Sequence, residues 1–403
     1  MTDAPESHNR EEIVRTVNDM AESVPETSRD ISMDALKGLA IALVVLGHAI
    51  PVATEVAHGG PGLYPVNRSA WVPLATATSL WFSLVYSFHM PLFAFVSGYV
   101  MWPPRARSFW SQLLRSTRGL LVPYMAWLFV YYLVARLINR DAWPAIGGVL
   151  VDAVAGRSGL WYLYALFMCT LVIAGLARLP YSRWTIPASV VLVFTAAAMY
   201  LALVSTTLPA MLYLADTLWI YPFVVLGYLV ACKRDLLVRH RRLVLGLALA
   251  TFVPLFYLRY PIYADELQPL TPFMQAAGAT VTYAVTKLVA YTCASAAVLG
   301  LFAVYAGRAG AAIRSQAWLG RRSLGVYAVH GVVLTSLVSA GVRNPPILFV
   351  VSLGASVLIT ILIERIPLLS SFLLGQPRMG AQRHTGGVAV VDLPDTALVP
   401  EDS

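Results

Sequence analysis

Charge is scarce in this sequence: only 12% of its 403 residues are Asp, Glu, Lys or Arg. Soluble globular chains carry roughly 25%. Lysine is confined to Lys37, Lys233 and Lys287, and cysteine to Cys169, Cys232 and Cys293, each alone in an apolar stretch. Without a C-x-x-C pair, neither a disulfide framework nor a cysteine zinc site is expected. The first thirty residues also lack the apolar core of a secretory signal peptide. What the chain has in abundance is apolar surface, with 58% hydrophobic residues and a mean hydropathy of +0.68. A globular core cannot absorb that much, so lipid is the expected solvent for most of the chain. The formal charge of +8 would suit nucleic acid. The basic residues, however, punctuate apolar spans instead of forming one patch, which argues against that partner.

About twenty apolar residues cross the hydrocarbon layer as a helix. That rule predicts an all-α, polytopic membrane protein with about ten transmembrane helices. The spans fall near 35–54, 79–101, 119–138, 160–177, 184–206, 208–232, 243–260, 279–306, 323–342 and 347–363. Both termini are then cytoplasmic, because the inside segments hold 22 Lys and Arg against 6 in the outside ones. The expected localisation is the inner (plasma) membrane. The polar stretch 1–33 and the Gly-rich stretch 375–403 read as disordered cytoplasmic tails, flanking one membrane domain over 34–374. No internal repeat is evident, and oligomeric state is not legible.

Ionisable groups inside lipid are costly and mark functional sites. In MDALKGLAIALVVLGHAIP, Lys37 and His48 are eleven residues apart, so at 100° per residue they lie about 20° apart around the helix and about 16 Å apart along it. Asp34 lies about 40° from the same line. One stripe of one helix thus carries Asp34, Lys37 and His48, with Lys37 at the cytoplasmic edge and the imidazole at mid-depth. A plainer reading has Lys37 snorkelling, Asp34 capping the helix and His48 bonding a neighbouring carbonyl. His89 lies mid-depth in YSFHMPLFAFVSGYVMWPP, two residues before Pro91. A proline bends a helix and frees a carbonyl, which His89 could either exploit in a site or simply satisfy. Arg115 and Arg118, at i and i+3 before the third span, share a helix face and form a fork suited to phosphates. Ordinary positive-inside anchoring would also account for them.

His330 in GRRSLGVYAVHGVV is weaker alone. Asp216 and Lys287 lie in the outer thirds of their spans and could pair. Glu364 sits at the inner end of the last span, facing either solvent or the site. No residue set is predicted to hold a metal.

Together these pieces resemble the acyltransferase family 3 membrane proteins, particularly the branch similar to fucose 4-O-acetylase. Lys37 and His48 match that family's basic-residue, ten-residue gap, histidine motif, and Arg115 and Arg118 match its Arg-x-x-Arg motif. FHMPLFAFVSGY resembles its second-span signature, LWYLYALF (with Trp161) a further short motif, and GRRSLGVYAVH its late Gly-x-x-Ser-x-x-x-Tyr-x-x-His segment. The resemblance runs in order from Asp34 to Glu364. One departure is lysine at position 37, where arginine is commoner; lysine cannot make a bidentate fork.

The resemblance implies transfer of an acyl group, usually acetyl, from acyl-CoA to a hydroxyl, often on a sugar, glycan or glycolipid. No permanent cofactor is implied; acyl-CoA is the donor substrate. Arg115, Arg118 and Lys37 would hold the donor, while Asp34, Lys37, His48 and His89 would form the reacting centre. His48 would act as general base or as a covalent acyl carrier. No hydrolase-like domain is expected after the last span. The rival class is a proton-coupled transporter or flippase of an envelope precursor or small metabolite, which also suits midplane histidines and a proline-broken helix.

Overall fold

A computed structural model describes residues 30–57, 80–101, 109–139, 160–178, 184, 186–191, 212–266 and 277–376. Most of the two polar tails and most of the predicted fifth span (184–206) lie outside those residues, although residues 31–33 of the first tail already belong to the first helix. The described residues are helical throughout, with no strand among them. The helices are α1 (Ile31–Ala57), α2 (Leu80–Tyr99), α3 (Phe109–Ser116), a π-helical turn (Thr117–Leu121) leading into α4 (Val122–Asn139), and α5 (Trp161–Leu176). They continue with α6 (Leu212–Cys232), α7 (Arg234–Arg239), α8 (Arg241–Glu266), α9 (Ala277–Tyr305), α10 (Ala311–Arg321), α11 (Ser323–Ser339), α12 (Pro345–Glu364) and α13 (Pro367–Leu373).

Among the described residues, five stretches are long and apolar enough to cross a membrane: Ile31–Ile50, Phe109–Val134, Arg241–Leu258, Leu288–Tyr305 and Pro345–Glu364. This is a helical membrane protein. Two sequence-based boundaries move. The third predicted span begins ten residues earlier, at Phe109, because α3 and α4 join through the π turn. Pro123 explains the widening: it has no N–H for the Gly119 carbonyl four residues back. The N–H of the residue before it, Val122, closes an i−5 bond to the Thr117 carbonyl.

The α1 cap also differs from expectation. Asp30, not Asp34, accepts from the Ser32 N–H at 3.0 Å, as an N-cap carboxylate does. Asp34 already lies within the helix, with its own N–H bonded to the Asp30 carbonyl at 3.2 Å.

α1 is the hub, packed against α2, α9, α10, α11 and α12. Two helix crossings bring backbones together because glycine has no side chain. On α2, Gly98 faces the Val224 carbonyl of α6, while Gly227 of α6 faces the Phe95 carbonyl. On α1, Gly38 faces the Gln316 carbonyl of α10, while Gly320 faces the Asp34 carbonyl.

Polar contacts gather several helix ends on one side of the bundle. The Asp30 carboxylate accepts from the Tyr99 hydroxyl and from the Arg234 Nε, both at 3.3 Å. These contacts join the start of α1 to the ends of α2 and α6. Ser32 donates to the Arg308 carbonyl just beyond α9 at 3.5 Å. Arg322, before α11, pairs through Nε with Glu364 at the end of α12 at 3.0 Å, and its guanidinium lies 4.4 Å from the Trp318 ring centroid. Glu364 therefore ties two helix ends together.

Candidate functional site

His48 sits on the α1 stripe that carries Asp34 and Lys37, and its ring turns toward α11. Its Nδ1 lies 3.2 Å from Nε2 of His330, with ring centroids 5.1 Å apart and tilted by 33°. His330 is 1% exposed. Its own Nδ1 donates to the Tyr327 carbonyl at 2.6 Å, and its carbonyl accepts from Ser352 of α12 at 3.3 Å. Groups on α11 and α1 therefore hold that imidazole, and α12 holds its backbone.

His89 of α2 is 3% exposed and lies in the neighbourhood of His48, because its neighbours Val85 and Tyr86 rest against Gly47. Its Nδ1 donates to the Val85 carbonyl at 2.9 Å, and its ring stands edge-on to Tyr86 at 4.8 Å. Pro91 removes the bond to the Ser87 carbonyl, so His89 does not spend its donor on the freed group. Gly47 eases the approach of α2: a Cβ there would come within 3.2 Å of the Tyr86 ring and 3.4 Å of Val85. The residue before His48 thus lets the turn before His89 lie against α1.

The SGY segment of α2 fixes this helix in three directions. Ser97 and the Tyr162 hydroxyl of α5 share a hydrogen bond at 3.1 Å, Gly98 meets α6, and Tyr99 reaches Asp30. Tyr162 in turn contacts the rings of Phe93 and Tyr327 edge-on at 5.5 and 5.9 Å. An aromatic path of α2, α5 and α11 therefore ends at Tyr327, whose carbonyl holds His330. Trp161 stands at the start of α5, next to Tyr162.

Along α1, Lys37 is half-buried and Asp34 buried. Lys37 is too far down the helix to touch His48. Arg115 ends α3 and Arg118 lies in the π turn, both exposed. They straddle an α-to-π junction. The chain beyond α12 braces this turn. Gly375, at φ +63°, is so close that a Cβ would lie 2.7 Å from Cα of Gly119 and 2.8 Å from the Arg118 carbonyl. The Trp127 Nε1 donates to the Leu373 carbonyl at 2.9 Å.

The structure thus brings His48, His89 and His330 together, keeps Lys37 and Asp34 on the same helix, and places Arg115 and Arg118 on a separate braced turn. Asp216 and Lys287 lie on α6 and α9, but their side chains fall outside the described residues. No group of three or more His, Cys, Asp or Glu among the described residues is arranged to hold a metal ion. Sequence reading took His330 as weak alone and did not place it against His48. Its signal was the Tyr-x-x-His spacing, which lets the ring bond the carbonyl three residues back. The Asp30–Tyr99–Arg234 cluster was missed because it joins three distant segments.

The family described as Acyltransferase domain matches residues 30–365. Among curated proteins, the chain is similar to Nodulation protein NolL of Sinorhizobium fredii (strain NBRC 101917 / NGR234), with 29% identity over 232 residues, covering 55% of this chain and 56% of that protein. It is also similar to Nodulation protein NolL of Mesorhizobium japonicum (strain LMG 29417 / CECT 9101 / MAFF 303099), with 27% identity over 207 residues, covering 51% and 48% respectively. The chain spans about half the length of the curated relatives it matches. No solved structure matches it significantly. The family match begins at the Asp30 cap, ends just past Glu364 and encloses all three clustered histidines and both arginines, so the chain belongs to acyltransferase family 3.

Proposed function

We propose that the protein is a membrane-bound O-acyltransferase that moves an acetyl group from acetyl-CoA to a hydroxyl of a sugar, glycan or glycolipid. The observation that carries this reading is His48, mid-helix on a charged stripe, with its ring directed into the bundle at His330. In the proposed step, the acceptor oxygen attacks the thioester carbonyl while its proton passes to Nε2 of His48. The new C–O ester bond forms as the C–S bond breaks. The leaving thiolate then takes the proton from the imidazolium, giving CoA thiol and regenerating neutral His48. An acyl-histidine route would use the same nitrogen as nucleophile.

The donor is read as entering from the cytoplasm, where the basic residues concentrate over about ten spans in the inner membrane. Arg115 and Arg118 would hold its phosphates, with Lys37 further in. Charge-assisted hydrogen bonds of this kind contribute about 1.5–3 kcal/mol each. Arg115→Ala or Arg118→Ala is therefore expected to raise the Michaelis constant for acetyl-CoA roughly 10- to 100-fold and to leave kcat nearly unchanged. A loss confined to acceptor affinity would count against the phosphate role.

Thiol release tests the enzyme reading itself. Purified protein in liposomes is mixed with acetyl-CoA and methyl fucoside, an acceptor probe chosen from the family resemblance. Stoichiometric appearance of CoA thiol and acetyl ester is expected. Movement of the acceptor across the bilayer with no thiol release would favour a carrier.

A further inference from the structure

The geometry points to His330 as the positioning residue that sets which nitrogen of His48 carries the proton. This inference rests on the reading of His48 as the reacting imidazole. A carbonyl oxygen can only accept, so Nδ1 of His330, 2.6 Å from the Tyr327 carbonyl, bears a hydrogen. In the neutral ring, Nε2 of His330 is then an acceptor. The atom facing it at 3.2 Å, Nδ1 of His48, must be the donor. A neutral His48 with its hydrogen on Nδ1 carries the lone pair on Nε2. The chain from the Tyr327 carbonyl through His330 to His48 therefore directs the basic nitrogen of His48 away from α11.

The same bond matters again after proton transfer. When Nε2 takes the acceptor's proton, both nitrogens of His48 are donors, and the Nδ1–H still has a neutral acceptor in His330. The Val44 carbonyl, one turn back on α1, is a second acceptor for this ring. Val44 belongs to His48's own helix, however, whereas His330 is held from α11 and α12 and fixes the ring relative to the rest of the bundle. With the Ser352 bond to its carbonyl and its 1% exposure, His330 has little freedom to turn. The arrangement follows the logic of triads, in which a third group orients the base and selects its tautomer.

The test compares His330→Asn with His330→Gln. Both are polar and close in size to histidine. Asparagine can keep the bond to the Tyr327 carbonyl, but it ends short of His48. The longer glutamine can place its Oε1 where Nε2 stands and accept from His48. Initial rates of thiol release with acetyl-CoA and methyl fucoside give kcat and the Michaelis constant for the donor, and a thermal midpoint reports folding. Asparagine is expected to lower kcat by about 10²-fold or more with the donor constant and midpoint unchanged, and glutamine to stay within about tenfold of wild type.

Equal rates for the two variants at matched midpoints would overturn the positioning role. Should His330→Asn lose its fold, His330→Gln carries the test: a 10²-fold loss of kcat in a folded protein would overturn the role. His48→Ala in the same assay separates the two levels. An inactive His48→Ala beside a fully active His330→Asn discards only the positioning role. A fully active His48→Ala discards the base reading and the positioning role with it.

Discussion

Alanine at Gly98 or Gly320 is expected to cost the protein about 3 kcal/mol or more of stability and most of its yield of folded, monodisperse material. The added Cβ would lie 1.8 Å from the Val224 carbonyl in the first case and 1.8 Å from the Asp34 carbonyl in the second. Each obstacle is backbone of a facing helix, so no side chain can rotate away and the two helices must separate. Protein interiors are too densely packed to absorb such a shift locally. The reciprocal glycines leave no slack, because Gly227 and Gly38 face carbonyls that a Cβ would approach to 1.9 and 2.0 Å. Separation at the α1–α10 crossing would also disturb the turn leading from Gly320 to His330. Gly354→Ala is the control, since nothing lies within 4 Å of a Cβ there; its midpoint is expected to stay within about 0.5 kcal/mol of wild type. Thermal unfolding in detergent, followed by size-exclusion profile, measures all three. A Gly98→Ala protein as stable as Gly354→Ala would show that the crossing is looser than described.

Features carried by a single helix were legible in the sequence. Helical spacing alone put Asp34, Lys37 and His48 on one stripe, and runs of about twenty apolar residues located α1, α2, α8, α9 and α12. Features made between helices were not. No spacing rule brings His330 to His48 across 282 positions, because that contact depends on how α11 packs on α1. The Asp30 cap was within reach of the sequence, since a cap carboxylate must precede the first helical N–H groups, but Asp34 offers a second carboxylate four residues on. The π turn was harder. The segment reads as regular α-helix until Pro123 is followed back to the Gly119 carbonyl, for which it has no N–H. The brace of Gly375 on that turn joins segments that nothing in the sequence connects.

His48→Ala is expected to lower kcat for acetyl transfer by about 10²- to 10⁴-fold, the range that a positioned acid–base group contributes, with fold and donor affinity retained. His48 is only half-buried, and its alanine variant leaves His330 still bonded to the Tyr327 carbonyl, so the bundle has no strong reason to unfold. His89→Ala is the informative comparison. His89 lies on the helix whose Val85 and Tyr86 rest against Gly47, and its own donor is engaged by the Val85 carbonyl. It is therefore expected to cost less than His48, by at least about tenfold in kcat.

The rate of CoA thiol release by purified His48→Ala in liposomes, with acetyl-CoA saturating and methyl fucoside as acceptor, is the most direct examination of the account. A folded variant that binds acetyl-CoA as wild type does, yet releases thiol at under about one hundredth of the wild-type rate, is the expected result. Thiol release at the wild-type rate would contradict it.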